Sequence, residues 1–184
     1  MSQVREVKRE DLLKLSRRGM AAFAARCARR VQPLFNVQER EEAIRKAIEV
    51  AESFAKGGKG DPYEAYNAAV ATGGSKGHSK TIEDAPEVSN GSSDTSAPGR
   101  AAESACEAAG YAARTGSFLD EAAPTFAADA AAFAVAAAAA VGGASGGADT
   151  ASAANIDYEN LLKLGHVAHP ELGDAVDPVR RHQN

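Results

Sequence analysis

The sequence predicts an all-α fold, a compact bundle of about six Ala-rich helices with a long flexible mid-chain loop. Three observations lead there. Alanine recurs at helical spacing through most of the chain, and it is the best intrinsic helix former. Glycine pairs and prolines stand where such runs stop or start. No stretch alternates apolar and polar residues convincingly enough for a strand. The 184 residues suit one domain, read as 1–165, followed by an extended C-terminal tail over 166–184. The apolar share is 44%, yet aromatics are only 5% and tryptophan is absent, so the core should be thin and closely packed.

A first helix is predicted from about Glu10 to Gln32. Met20, Phe23, Ala24, Cys27 and Val31 share one face, Arg18, Arg26 and Arg29 the other, and Pro33 breaks the ladder. Asn36 with Glu39 three residues later forms the looser, Asn version of a capping box. The helix behind it carries Ile44, Ala47, Ile48, Ala51 and Phe54 as a buried stripe and stops at Gly57-Gly58. Asp61 as cap and Pro62 at the first helical position open a short third helix with Tyr63, Tyr66, Ala69 and Val70. From Gly73 to Ser96 large apolar residues are few, which predicts a mobile loop or insertion over 73–96.

Pro98 reopens helix, with Ala101, Ala105, Ala109 and Ala112 spaced for one face. Gly116 closes it and Ser117 caps the next helix, so the two should pack antiparallel. In that next helix, Leu119, Ala123, Phe126, Ala130, Phe133, Ala137 and Ala140 repeat at spacings of four and three. Small residues there let neighbouring helices approach, with the two Phe rings between layers. Gly142 and Gly143 end it, "GASGG" reads as a glycine linker, and Asp149 caps a last helix with Ala151, Ala154, Tyr158, Leu161 and Leu162 that stops at Gly165.

The stretch "AADAAAFAVAAAAAVGG" resembles a membrane span only in its alanine. Insertion is driven by Leu, Ile, Phe and Val, whereas here only Phe126, Phe133, Val135 and Val141 are strongly apolar and Asp129 interrupts them. No membrane segment is therefore expected. The start, Met1 to Asp11, is charged throughout and unlike a secretory leader, which points to the cytoplasm. Cys27 and Cys106 lie far apart in helical patterns and read as buried, reduced thiols. The net charge of −4 is uneven: residues 1–60 carry 14 Lys+Arg against 8 Asp+Glu, and the rest carry 7 against 17. Such a division suits two parts that pack together, or faces for charged partners.

None of the short motifs supports catalysis. "GASGG" fits G-x-S-x-G, but a nucleophilic Ser145 would need a strand leading into a strained turn, and a helix precedes it. "GGSKGHSKT" lacks the glycine before Lys80, where Ser79 stands, and so reads as a loop rather than a phosphate cradle. His166 and His169, near Glu171 and Asp174, lie in an irregular segment beside Gly165 and Pro170 with no rigid frame for a metal. Asn90-Gly91-Ser92 fits a glycosylation acceptor but has no secretory context. The Arg18, Arg26, Arg29 row is read foremost as a solvated face, with Glu39, Glu41 and Glu42 as candidate partners. Nucleic acid is not expected, because the chain is acidic and lacks helix-turn-helix spacing. No catalytic residue, cofactor or metal site is predicted.

Two segments, "AAFAARCARRVQPLF" and "EEAIRKAIEVAESFAKG", resemble the opening helices of the helical immunity-protein family of bacterial toxin systems. The residues that carry the likeness are Phe23, Cys27, Ala28, Leu34, Phe35, Ala43, Ile44, Ala51, Phe54 and Gly57, within residues 17–57. Phe54 stands where a Trp is common in that family, and the alanine-dense helices after Pro98 resemble its later part. The resemblance implies a non-enzymatic protein-binding module that neutralises a protein partner, a toxin. Its contact surface would be the Arg18, Arg26, Arg29 face or the acidic C-terminal half. The alternative is a small helical ligand-binding domain or enzyme, with a pocket lined by Tyr63, Tyr66, Tyr111 and Tyr158.

Overall fold

The structure is a computed structural model that describes residues 7–34, 38–58, 61–72, 97–115 and 122–164. Among these residues the regular structure is helical and no strand is present, as the sequence predicts. Helix α1 is a single turn, Arg9–Leu12, and the main-chain N–H of Lys8 donates to Asp11 Oδ2 at 3.3 Å. Helix α2 follows as Arg17–Val31, with the Ser16 hydroxyl accepting from the Gly19 amide at 3.0 Å. The single helix expected from Glu10 to Gln32 is thus two. Ser16 satisfies an orphan amide that a continuous helix would not have, and the turn between them drives Leu12 and Leu15 into the core. Pro33 sits in a 3₁₀ turn, Gln32–Leu34.

Helix α3 spans Gln38–Ala55. Its C-terminus is a Schellman motif: the Gly58 amide donates to Ser53 O at 2.9 Å and the Gly57 amide to Phe54 O at 3.1 Å, with Gly57 at φ 102°. Both glycines are needed, since a Cβ on Gly58 would stand 2.8 Å from the Ser53 carbonyl oxygen. Helix α4, Pro62–Ala71, starts as predicted, the Glu64 amide donating to Asp61 Oδ1 at 3.4 Å. Helix α5 spans Ala97–Thr115, and the Thr115 hydroxyl donates back to Tyr111 O at 2.9 Å.

Helix α6, Ala123–Lys163, departs most from expectation. It starts behind Ala122, with Pro124 in its first turn and no side-chain cap. Gly143, at φ 64° and ψ −159°, breaks it into two arms, 123–142 and 144–163. The arms double back on each other. A Cβ on Gly146 would lie 2.7 Å from the Ala138 carbonyl oxygen, and one on Gly147 would lie 3.1 Å from Ala139 Cβ and 3.6 Å from the Val135 carbonyl oxygen. In a straight helix, residues eight to twelve apart are roughly 12–18 Å apart along the axis, so these contacts require a reversal. Gly146 and Gly147, expected in a linker, instead lie in helix, and Asp149 sits inside the second arm rather than capping it. Lacking Cβ atoms, Gly146 and Gly147 let two backbones approach at a one-residue corner.

The core forms where α2 and α5 meet each other, α3 and the first arm of α6. Phe23, Ile44, Ile48 and Val31 supply its bulk, and Ala24, Ala108, Ala109, Ala112, Ala127, Ala130 and Ala134 its close contacts. Of the expected seam on α6, Ala123, Ala130 and Ala137 are buried, whereas Phe126 and Phe133 are half-buried and lie against Tyr111 at ring-centroid distances of 6.1 and 5.5 Å. The rings therefore wrap a core edge that alanine fills. By length and composition alone α6 is also apolar enough to cross a membrane. The 73–96 loop, Asn36, Gly116, Ser117, Leu119, Gly165 and the 166–184 tail lie outside the described residues.

Candidate functional site

The Arg18, Arg26, Arg29 row lies on α2, and the structure shows what each guanidinium meets. Arg18 donates to the Gly57 carbonyl at 3.5 Å and, with Arg17, lies over the Phe54 ring at 6.0 and 5.4 Å. Arg29 donates from Nε and Nη2 to Glu52 Oε1, at 3.1 and 2.8 Å, and from Nη1 to Gln32 Oε1 at 2.8 Å. Arg26 pairs with Asp157 Oδ1 at 3.6 Å, and Arg30 donates to Asp157 Oδ2. The row is thus tied on one side to the end of α3 and on the other to the second arm of α6.

These partners were not visible in sequence. Glu52 and Asp157 lie 23 and 127 positions from the arginines that they bind. Of the acids expected as partners, Glu42 binds Arg45 on its own helix, which holds the Glu42 carboxyl below its usual range, and the side chain of Glu39 lies outside the described residues. One sequence signal does point to Asp157, which stands beside the line Ala154, Tyr158, Leu161 that the second arm buries.

The pairing leaves part of each guanidinium in solvent. The side chains of Arg26, Arg29 and Arg30 keep 44%, 41% and 31% of their surface exposed, whereas Asp157 keeps 14%. A guanidinium has five N–H donors, so one or two bonds fix its plane and leave others directed outward. The outcome is a pre-oriented cationic row. Cys27 lies on the inner side of the same helix, fully buried, and burial pushes its thiol up from about 9 to about 12 even though Arg30 and Arg26 lower it. It is a structural thiol in its neutral form, as expected. The side chain of Cys106 is outside the described residues.

Of the four tyrosines expected to line the alternative pocket, Tyr111 and Tyr158 have described side chains. Tyr111 stacks on Phe133 at 9° and lies beneath Arg114, while the Tyr158 hydroxyl donates to the Asp11 carbonyl at 3.1 Å. Burial raises the Tyr111 hydroxyl above its usual range, with Glu107 and Asp129 adding to the effect. Tyr63 and Tyr66 are on α4, but their side chains fall outside the description. Ser145 donates its hydroxyl to the Gly142 carbonyl at 3.0 Å. Among the described residues, no cluster of His, Cys, Asp and Glu could hold a metal ion. His166 and His169, and Ser79 and Lys80, lie outside them.

No protein-family model matches the chain, and no curated protein or solved structure is significantly similar to it.

Proposed function

We propose that this chain is a non-enzymatic protein-binding module of the immunity type, which neutralises a protein partner, a toxin, in the bacterial cytoplasm. The observation that carries this reading is the cationic row of α2, where Arg18, Arg26 and Arg29 each meet a partner while the Arg26 and Arg29 side chains keep 44% and 41% of their surface exposed. A row held in place loses little side-chain entropy on docking, and its field speeds encounter with an acidic partner. The likeness of residues 17–57 to immunity proteins falls on this same helix and on the helix that braces it.

The test is capture of a partner by the tagged full chain, compared with Arg26→Gln plus Arg29→Gln. Glutamine removes the charge and leaves an uncharged side chain beside Asp157 and Glu52. The reading expects one protein retained in near-equal amount, its retention reduced at least about tenfold in the variant while the helical circular dichroism is unchanged. Retention indifferent to these two charges, in a folded variant, would remove the basis for the proposal.

A further inference from the structure

The two arms of α6 are held unequally. The first arm buries Ala123, Ala127, Ala130, Ala134 and Ala137 completely against the other helices. The second arm buries only a narrow line, Gly147, Ala154, Tyr158 and Leu161, and of these only Tyr158 and Leu161 have large side chains. Among the described residues, Asp157 ties it to Arg26 and Arg30, and the Tyr158 hydroxyl ties it to the Asp11 carbonyl. Behind the Asp157 tether lies Cys27, 1% exposed and flanked along α2 by those same arginines. At the other end is Gly143, whose absent Cβ would meet nothing within 4 Å. The arm therefore combines a small apolar contact, an electrostatic clasp and a sterically open corner. In such a unit, opening needs far less surface exposure than unfolding of the whole domain.

We propose that residues 144–163 form a strap that opens as a unit about Gly143 while α2, α3, α5 and the first arm of α6 stay packed, and that Asp157 is its latch. Opening uncovers the inner side of α2 around Cys27 and frees Arg26 and Arg30 from their carboxylate. The inference is independent of the partner reading above, since it concerns only how the chain holds itself.

Cys27 reports the opening directly. In the full chain carrying Cys106→Ser it is the one remaining thiol, and its reaction with dithiobis(nitrobenzoate) proceeds by thiolate attack on the reagent disulfide, forming a mixed disulfide and releasing thionitrobenzoate. The rate is followed against urea, with and without Asp157→Asn, and in low salt against about 1 M NaCl. The strap predicts a labelling limb at low urea whose slope is below about half that of global unfolding, raised about tenfold by Asp157→Asn and several-fold by salt. Labelling that follows global unfolding over the whole urea range would overturn it, and so would a shallow limb indifferent to salt and to Asp157→Asn. The salt comparison needs no change at Asp157 and so decides the matter even if that variant does not fold.

Discussion

The hydroxyl of Tyr158 donates a hydrogen bond to the backbone carbonyl of Asp11, 3.1 Å away and 147 residues earlier in the chain. Both ends are buried, and the bond pins the second arm of α6 to α1. The Asp11 carbonyl also accepts from the Lys14 amide, so removing the hydroxyl does not orphan it. Tyr158→Phe should therefore cost about 1 kcal/mol, the net worth of one buried hydrogen bond. Tyr158→Ala, which also deletes the ring, should cost about 3–5 kcal/mol. Urea unfolding of the two variants separates the hydrogen bond from the packing.

The corner of α6 predicts an ordering among its glycines. Gly142 is helical with open space at its Cβ, so Gly142→Ala should be neutral or stabilise by up to about 1 kcal/mol. Gly143→Ala forces an L side chain to φ 64° and ψ −159° and should cost about 1–3 kcal/mol. Gly146→Ala places a Cβ 2.7 Å from the Ala138 carbonyl oxygen, which is backbone and cannot rotate away, so it too should destabilise. Thermal melts of the three single variants read this order. Equal tolerance at all three would mean that the corner is not there.

Close packing through alanine predicts intolerance of larger side chains. Ala130 is completely buried and Ala132 is exposed on the same arm. Ala130→Leu should lose about 1–3 kcal/mol by overpacking, while Ala132→Leu should stay within about 0.5 kcal/mol of the parent chain. Chemical denaturation with an unchanged urea slope is the measurement.

The Cys27 thiol sets a pH dependence on the alkaline side. Its value is raised from about 9 to about 12 by burial, so between those values the folded chain keeps a proton that the unfolded chain has lost. Stability from this group is fully present below pH 9 and falls as pH rises through that window, by up to about 1.4 kcal/mol per pH unit. Cys27→Ala should flatten that slope by the same amount. Urea midpoints of both chains between pH 8 and about 10.5 give the comparison.

What the sequence made legible was what neighbours along the chain decide. The Gly57-Gly58 stop, the Asp61-Pro62 start and the Ile44, Ala47, Ile48, Ala51 stripe all depend on residues within a turn or two of each other and stand in the structure, whereas Phe54, expected to complete that stripe, is only half-buried. Helical spacing runs on through Ser16 and so hides the break there, although its hydroxyl is a good cap. The sequence around Gly143 predicts the end of a helix and the start of a linker, where the structure has a reversal. Glycine-rich sequence is ambiguous there, since the same small residues that loosen a loop also permit two helices to touch. The candidate site was legible in membership and not in geometry. Arg18, Arg26 and Arg29 do share α2, but Glu52 and Asp157, which orient two of them, are brought there only by tertiary packing.

The whole fold turns on α6 being two arms folded together in water. Spin labels at Ala132 and Ile156, both exposed, in a chain with Cys27 and Cys106 replaced by alanine, test it by pulsed electron–electron double resonance. Arms that double back at Gly143 place these positions beside each other, and a distance peak below about 25 Å in detergent-free buffer is the predicted result. An unbroken helix would separate them by about 36 Å along its axis, and a peak at or beyond that distance would contradict the fold described.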